Sequence, residues 1–288
     1  MEATLALLHT LRLAATEQQK IDRETAAYIH AHASAFAKLS PEQVTAELFP
    51  LLCGNDVLEV LLDYPDVISA LLPELAPCVG FGQNNPYHQY MVYDHIAHGV
   101  AAAPGEDLTV RLALLFHDIG KPLCYTEDAR GGHFYGHAEL SAQLAAEAME
   151  RLQITGELKD DVLELVLRHD TVIEATPKSV RRWLSKLGPI GFFRFLEVKW
   201  ADTLAQAEHI QGERLEKLRE LKTMADTLLA EEKQFSMKDL VVNGRDLLAL
   251  GIPEGEQVGR ILQTLFAEVT AGTLENEASN LLRRAKEL

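Results

Sequence analysis

From Leu108 to Phe116 the chain is apolar apart from Thr109 and Arg111, and the run stops in His117-Asp118-Ile119-Gly120-Lys121-Pro122. Nine residues of this character suit a buried helix and are far too few to cross a bilayer. The Gly and Pro that follow cannot continue it. Two side chains of metal-ligand type therefore sit together at the end of a core rod. What joins His117 and Asp118 in space decides most of the chemistry this chain can have.

The rest of the sequence is helical by the same criteria. Apolar residues recur at helical spacing over residues 3–18. Asp22 and Ser40-Pro41 then open helices toward residue 29 and residue 53. Short helices are expected near 56–63 and 67–72, then helices over 92–103, 108–116, 138–152, 157–169, 177–187, 189–209, 212–232, 256–271 and 276–288. Gly and Pro pairs supply the breaks between many of them. Residues 78–90 are rich in Gly, Asn and Pro and read as a loop. Residues 123–135 read as one small β-hairpin, the single expected sheet. The fold class is thus all-α, with no internal repeat and no low-complexity segment.

Composition narrows the function classes. The net charge of −16 opposes tight, nonspecific nucleic-acid binding, because a surface that holds phosphates is usually basic. It leaves room for a small phosphorylated ligand in a local basic pocket. No segment is apolar over a membrane-spanning length, and the first residues lack the basic-then-apolar pattern of a leader. Three scattered cysteines, Cys53, Cys78 and Cys124, suggest reduced thiols in a cytoplasmic protein.

The eleven histidines are unevenly spread: His88, His95, His98, His117, His133, His137 and His169 all fall within residues 88–169. Core packing explains such a cluster poorly, since each buried imidazole needs partners. His95 lies on one expected helix and His117-Asp118 end the next. His137 opens a third, His169 closes a fourth, and Asp202 lies inside a fifth. Antiparallel helices can bring these positions together. Imidazole with carboxylate suits Fe, Mn, Ni, Co or Zn, with Mg a harder alternative. Six such groups exceed one closed tetrahedral site.

The pattern His95, His117-Asp118, Asp202 resembles the HD-domain superfamily of metal-dependent phosphohydrolases. Asn84-Asn85-Pro86-Tyr87-His88, Tyr93-Asp94-His95, Leu115–Pro122 and His133-Phe134-Tyr135-Gly136-His137 are similar to the HD region of bacterial tRNA nucleotidyltransferases, the CCA-adding enzymes. Leu11–Ala15, Ile21-Asp22 and Thr25-Ala26 resemble their neck and body, and Val242–Leu247 their tail. The resemblance implies an HD helical bundle over residues 81–211, flanked by helical regions over 1–80 and 212–288. It implies one divalent ion on His95, His117, Asp118 and Asp202, and a second on His137 and His169 with Asp118 as bridge. The sheet-bearing catalytic head of those enzymes is not legible in residues 1–60, so nucleotide addition is not expected from this polypeptide alone.

The expected activity is hydrolysis of a phosphomonoester or phosphodiester in a nucleotide or another small phosphorylated compound. The alternative is an RNA- or tRNA-binding module. Asp118 and Lys121 are the candidate catalytic residues, with the Lys121 ammonium placed to neutralise a phosphate oxygen or, equally, to serve the helix C-terminus. His88 is expected at the mouth of the site. Lys178, Arg181, Arg182, Lys186, Arg194 and Lys199 stand against one acid, Glu197, over residues 177–199. Arg181 and Arg182 are therefore candidates to draw in phosphate, or form part of a solvated helix face.

Overall fold

The computed structural model describes residues 2–129, 131–234, 237–253 and 255–288. Fourteen α-helices occur among them: α1 (Glu2–Glu17), α2 (Arg23–Ala31), α3 (Pro41–Leu52), α4 (Val57–Asp63), α5 (Pro65–Leu71), α6 (Val92–Ala102), α7 (Leu108–Phe116), α8 (His137–Arg151), α9 (Glu157–Arg168), α10 (Pro177–Leu204), α11 (Glu208–Gln234), α12 (Gly244–Ala249), α13 (Glu256–Thr270) and α14 (Ala278–Ala285). One antiparallel hairpin joins β1 (Thr126–Asp128) to β2 (Gly131–His133), with Glu127 opposite Gly132. The all-α expectation and the hairpin both hold.

Local chemistry sets the helix starts. Ser40 caps α3 in a reciprocal capping box with Gln43, and Pro41 occupies the first turn, where its missing N–H costs nothing. Asp107 caps α7 by accepting from the amides of Thr109 and Val110. Inside α10, Gly188 has φ 68° and ψ 165°, so the helix is broken just before Pro189.

The chain divides into two compact units. The first comprises residues 1–171 with 193–218, and the second 172–192 with 219–288. In the first, α7 packs against α6, α9, α3 and α8, and every residue from Thr109 to Phe116 is buried. Arg111, the charge inside the apolar run, is 4% exposed. Its guanidinium donates to the Leu52 carbonyl at the end of α3 (3.1 Å) and to the Pro104 carbonyl (3.2 Å), which satisfies groups a helix end would otherwise leave orphaned. In the second unit, Leu240, Val242, Leu247, Ile261, Leu265, Leu281 and Ala285 form a separate core. Among the described residues no helix is long and apolar enough to cross a membrane.

Candidate metal centre

Five elements of the first unit deliver six side chains to one place. His95 projects from the middle of α6, and His117 and Asp118 follow the last turn of α7. His137 opens α8 behind Gly136, whose φ of 77° makes the sharp entry that glycine tolerates at no steric cost. His169 follows the last turn of α9, and Asp202 lies near the end of α10. Gly120 gives this assembly its closeness. A Cβ there would lie 2.8 Å from both the His137 carbonyl oxygen and the Ser141 amide nitrogen, so only a glycine lets the turn after α7 press against the start of α8. The Gly120 amide donates to Ser141 Oγ at 2.9 Å.

Each imidazole is anchored by the same nitrogen. Nδ1 of His95 donates to Ala205 O (3.1 Å), that of His117 to Leu114 O (2.7 Å), that of His137 to Phe134 O (2.8 Å) and that of His169 to Val166 O (2.7 Å). A carbonyl can only accept, so the proton is on Nδ1 and every Nε2 is left to face the centre. The Nε2 atoms meet in pairs, His95 with His117 at 3.2 Å and His137 with His169 at 3.0 Å. Asp118 stands between the pairs. Its Oδ2 is 3.2 Å from His95 Nε2 and 3.1 Å from His117 Nε2, while its Oδ1 is 3.4 Å from His137 Nε2 and 3.6 Å from His169 Nε2. Asp202 Oδ1 joins the first pair at 3.0 Å from His95 and 3.7 Å from His117.

Two groups of three can therefore each surround an ion: His95, His117 and Asp118, and Asp118, His137 and His169. Donor separations near 3 Å are those of neighbouring ligands about 2.1 Å from a common ion. The Asp118 oxygens lie 3.1–3.6 Å from four Nε2 atoms, and two Nε2 atoms 3.0–3.2 Å apart cannot both keep an unshared lone pair, so a proton or a metal ion must lie between them. The donor set fits divalent cations. The same field acts on protons. Burial disfavours the His117 imidazolium, yet the charge and hydrogen bond of Asp118, with Asp202, push its pKa up to about 10. His95 is raised by the same balance. Asp118 and Asp202 are held well below the usual carboxylate range despite burial, by the imidazoles and, for Asp118, by Lys121. The second pair differs: burial lowers the His137 pKa, Asp118 opposes this, and His169 and Lys121 add to it. The half carrying two carboxylates attracts positive charge more strongly.

The centre opens into a cavity of about 690 Å³, whose walls include Tyr87, His88, Tyr135 and Arg214 around a floor of Asp118, His137, His169 and Asp202.

A family profile described as the HD domain matches residues 87–231, half of the chain. The chain belongs to the HD-domain family. The chain is 30% identical to the CC-adding tRNA nucleotidyltransferase of Thermus thermophilus, over 96% of this chain and 66% of that protein. It is 29% identical to the A-adding tRNA nucleotidyltransferase of Deinococcus radiodurans, over 85% and 59%. The chain thus spans two thirds or less of the length of these relatives. The crystal structure of the Bacillus stearothermophilus CCA-adding enzyme in complex with CTP shares the fold, with a TM-score of 0.53 and 19% identity over 99% of this chain and 62% of that one.

Around the HD centre the candidate residues fall in three groups. His95, His117, Asp118, His137, His169 and Asp202 converge. His88 stands edge-on to His95, with ring centroids 5.0 Å apart, and burial drives its pKa down to about 3. Lys121 is buried, with Nζ 2.6 Å from Asp118 Oδ2 and 2.8 Å from Gln83 Oε1. Its ammonium is already committed to a carboxylate. Arg181 and Arg182 belong to the second unit, where they line a separate cavity and Arg181 pairs with Glu231 at 3.5 Å. His98 stacks on Tyr90 at 4.0 Å instead of entering the cluster.

Of three further residues that touch the site, only Lys199 belongs to a stretch with a sequence signal, the basic run over 177–199. Gln206 Nε2 donates to Asp202 Oδ2 (3.0 Å) and its Oε1 accepts from Arg214, and Lys199 donates to the His169 carbonyl (2.8 Å). For Gln206 the four-residue step from Asp202 is the one local hint, since such residues share a helix face.

Proposed function

We propose that this HD protein is a metal-dependent phosphohydrolase acting on a nucleotide or another small phosphorylated substrate. The observation that carries the reading is the double pair of Nε2 atoms spanned by the two oxygens of Asp118. In this reading His95, His117, Asp118 and Asp202 hold one divalent ion and Asp118, His137 and His169 a second. Two such ions would supply an acidified water and would neutralise charge on the phosphoryl oxygens. The backbone carbonyls fix each imidazole so that the ligand atoms need no rearrangement. Lys121 offsets the Asp118 charge and fixes the bridge, while the open cavity above supplies the path for substrate.

Similarity to two tRNA nucleotidyltransferases over most of the chain favours a second reading, an RNA-binding module that works beside a nucleotidyltransferase activity. One experiment separates them. Purified protein supplied with Mn, Co or Ni is assayed for phosphate release from nucleotides and for retardation of tRNA at physiological salt. Hydrolysis that disappears in His117→Ala and Asp118→Ala supports the first reading. A tRNA complex without metal-dependent hydrolysis in the wild type supports the second.

A further inference from the structure

The cavity has a rim as well as a floor, and the rim is aromatic. Tyr135 is 79% exposed although it lines the cavity. Its ring lies parallel to His133, with centroids 5.4 Å apart and planes 10° from each other, and His133 is in turn held 3.0 Å from Asp128 on the paired strand. One face of Tyr135 is thus backed by the hairpin. Tyr135 is also tied to the floor, because the neighbouring Phe134 carbonyl receives the Nδ1 proton of His137. Tyr87 also lines the cavity, with the Arg214 guanidinium 5.9 Å from its ring centroid and its carbonyl bonded to the Ala207 amide at 2.9 Å. Arg214 reaches the floor through Gln206, which is bonded to Asp202. Among the described residues Arg214 makes no ion pair, whereas the other cation of the lining, Lys121, is spent on Asp118.

A polar floor for a phosphate under a backed aromatic ring, with a guanidinium that is hydrogen-bonded to Gln206 but in no ion pair, is the arrangement that accepts a planar group attached to an anion. Bases stack on such rings irrespective of their identity, and Arg adds a cation–π or hydrogen-bonding contact. We infer that Tyr135 is the stacking platform for the base of a nucleoside monophosphate, and that Arg214 takes a further contact to the same ligand. This rests on the phosphohydrolase reading for the position of the phosphate and extends it by making the base, not the phosphate alone, a determinant of recognition.

The test compares Mn-loaded wild type, Tyr135→Ala and Tyr135→Phe. Calorimetry measures binding of the 2′, 3′ and 5′ isomers of adenosine monophosphate and of ribose 5-phosphate, with phosphate release followed in parallel. Tyr135 is exposed, so its replacement removes no core contact, and circular dichroism checks the folding of the variants. The expected result is that Tyr135→Ala weakens the best adenosine isomer about 10-fold, the effect of losing one base–ring stack. It leaves ribose 5-phosphate within about 2-fold, and Tyr135→Phe behaves as wild type. If Tyr135→Ala weakens both ligands equally or neither, or if no adenosine isomer outbinds ribose 5-phosphate, the inference is overturned, and phosphate release in those samples leaves the hydrolase reading standing. If Tyr135-dependent nucleotide binding occurs with no phosphate release, the inference holds and the hydrolase reading fails.

Discussion

Replacing Lys121 with Met separates two roles for this residue. The ammonium is 5% exposed, 2.6 Å from Asp118 Oδ2 and 2.8 Å from Gln83 Oε1. Met keeps most of the aliphatic stem and deletes the charge. In metal-free protein this removes one of the two cations beside the buried Asp118 carboxylate, the other being the His117 imidazolium, and breaking a buried pair from one side costs about 3 kcal/mol even so. With two divalent ions beside Asp118 the carboxylate stays compensated. The remaining cost is the lost bond to Gln83, about 1 kcal/mol. The difference, at least about 2 kcal/mol, must appear as metal affinity, because the thermodynamic cycle closes. Lys121→Met should therefore bind Mn at least about 30-fold more tightly than wild type while being less stable without it. Urea denaturation in EDTA and in saturating Mn, with calorimetric Mn titration, measures all four corners. Equal destabilisation with and without Mn, or weaker Mn binding by the variant, would refute the view that Lys121 stands in for cationic charge at Asp118.

Other consequences are separable. His137→Ala and His169→Ala should each lower bound metal from two equivalents to one while leaving the tighter equivalent in place, as read by elemental analysis after dialysis. Gly120→Ala forces a Cβ against the His137 carbonyl and Ser141 amide, so calorimetry should show the weaker Mn equivalent lose about 10-fold or more, as losses of supporting interactions around metal ligands do. Ser40→Ala removes one side of the α3 capping box and should cost about 1 kcal/mol in urea denaturation, with metal content unchanged.

Legibility in the sequence followed the range of the interaction. Helix α7 is found where its apolar run predicts it, Leu108–Phe116, and α6 and α9 end within a residue of their expected limits, because periodicity and Gly or Pro breaks are local signals. The convergence of six ligand-type side chains was inferable from their placement at helix ends and a known motif. The burial of Lys121 was not, since Gln83, its second partner, is 38 residues away. Gln206 and Arg214 were missed for the same reason: they matter through what they touch, and neither residue type marks a site by itself. Residues 73–77 carry no periodic signal, yet Pro73–Cys78 winds as a short 3₁₀ helix, whose i→i+3 bonds close over a shorter stretch than α-helical ones. Two of the three boundaries between the units fall inside α10 and α11 and not in loops.

In the proposed centre Asp118 would bridge two ions. Protein loaded with Mn and freed of excess by dialysis should retain two equivalents per chain by elemental analysis, with spectroscopic coupling between them. One equivalent in the wild type, unchanged by removal of His137 and His169, would contradict it.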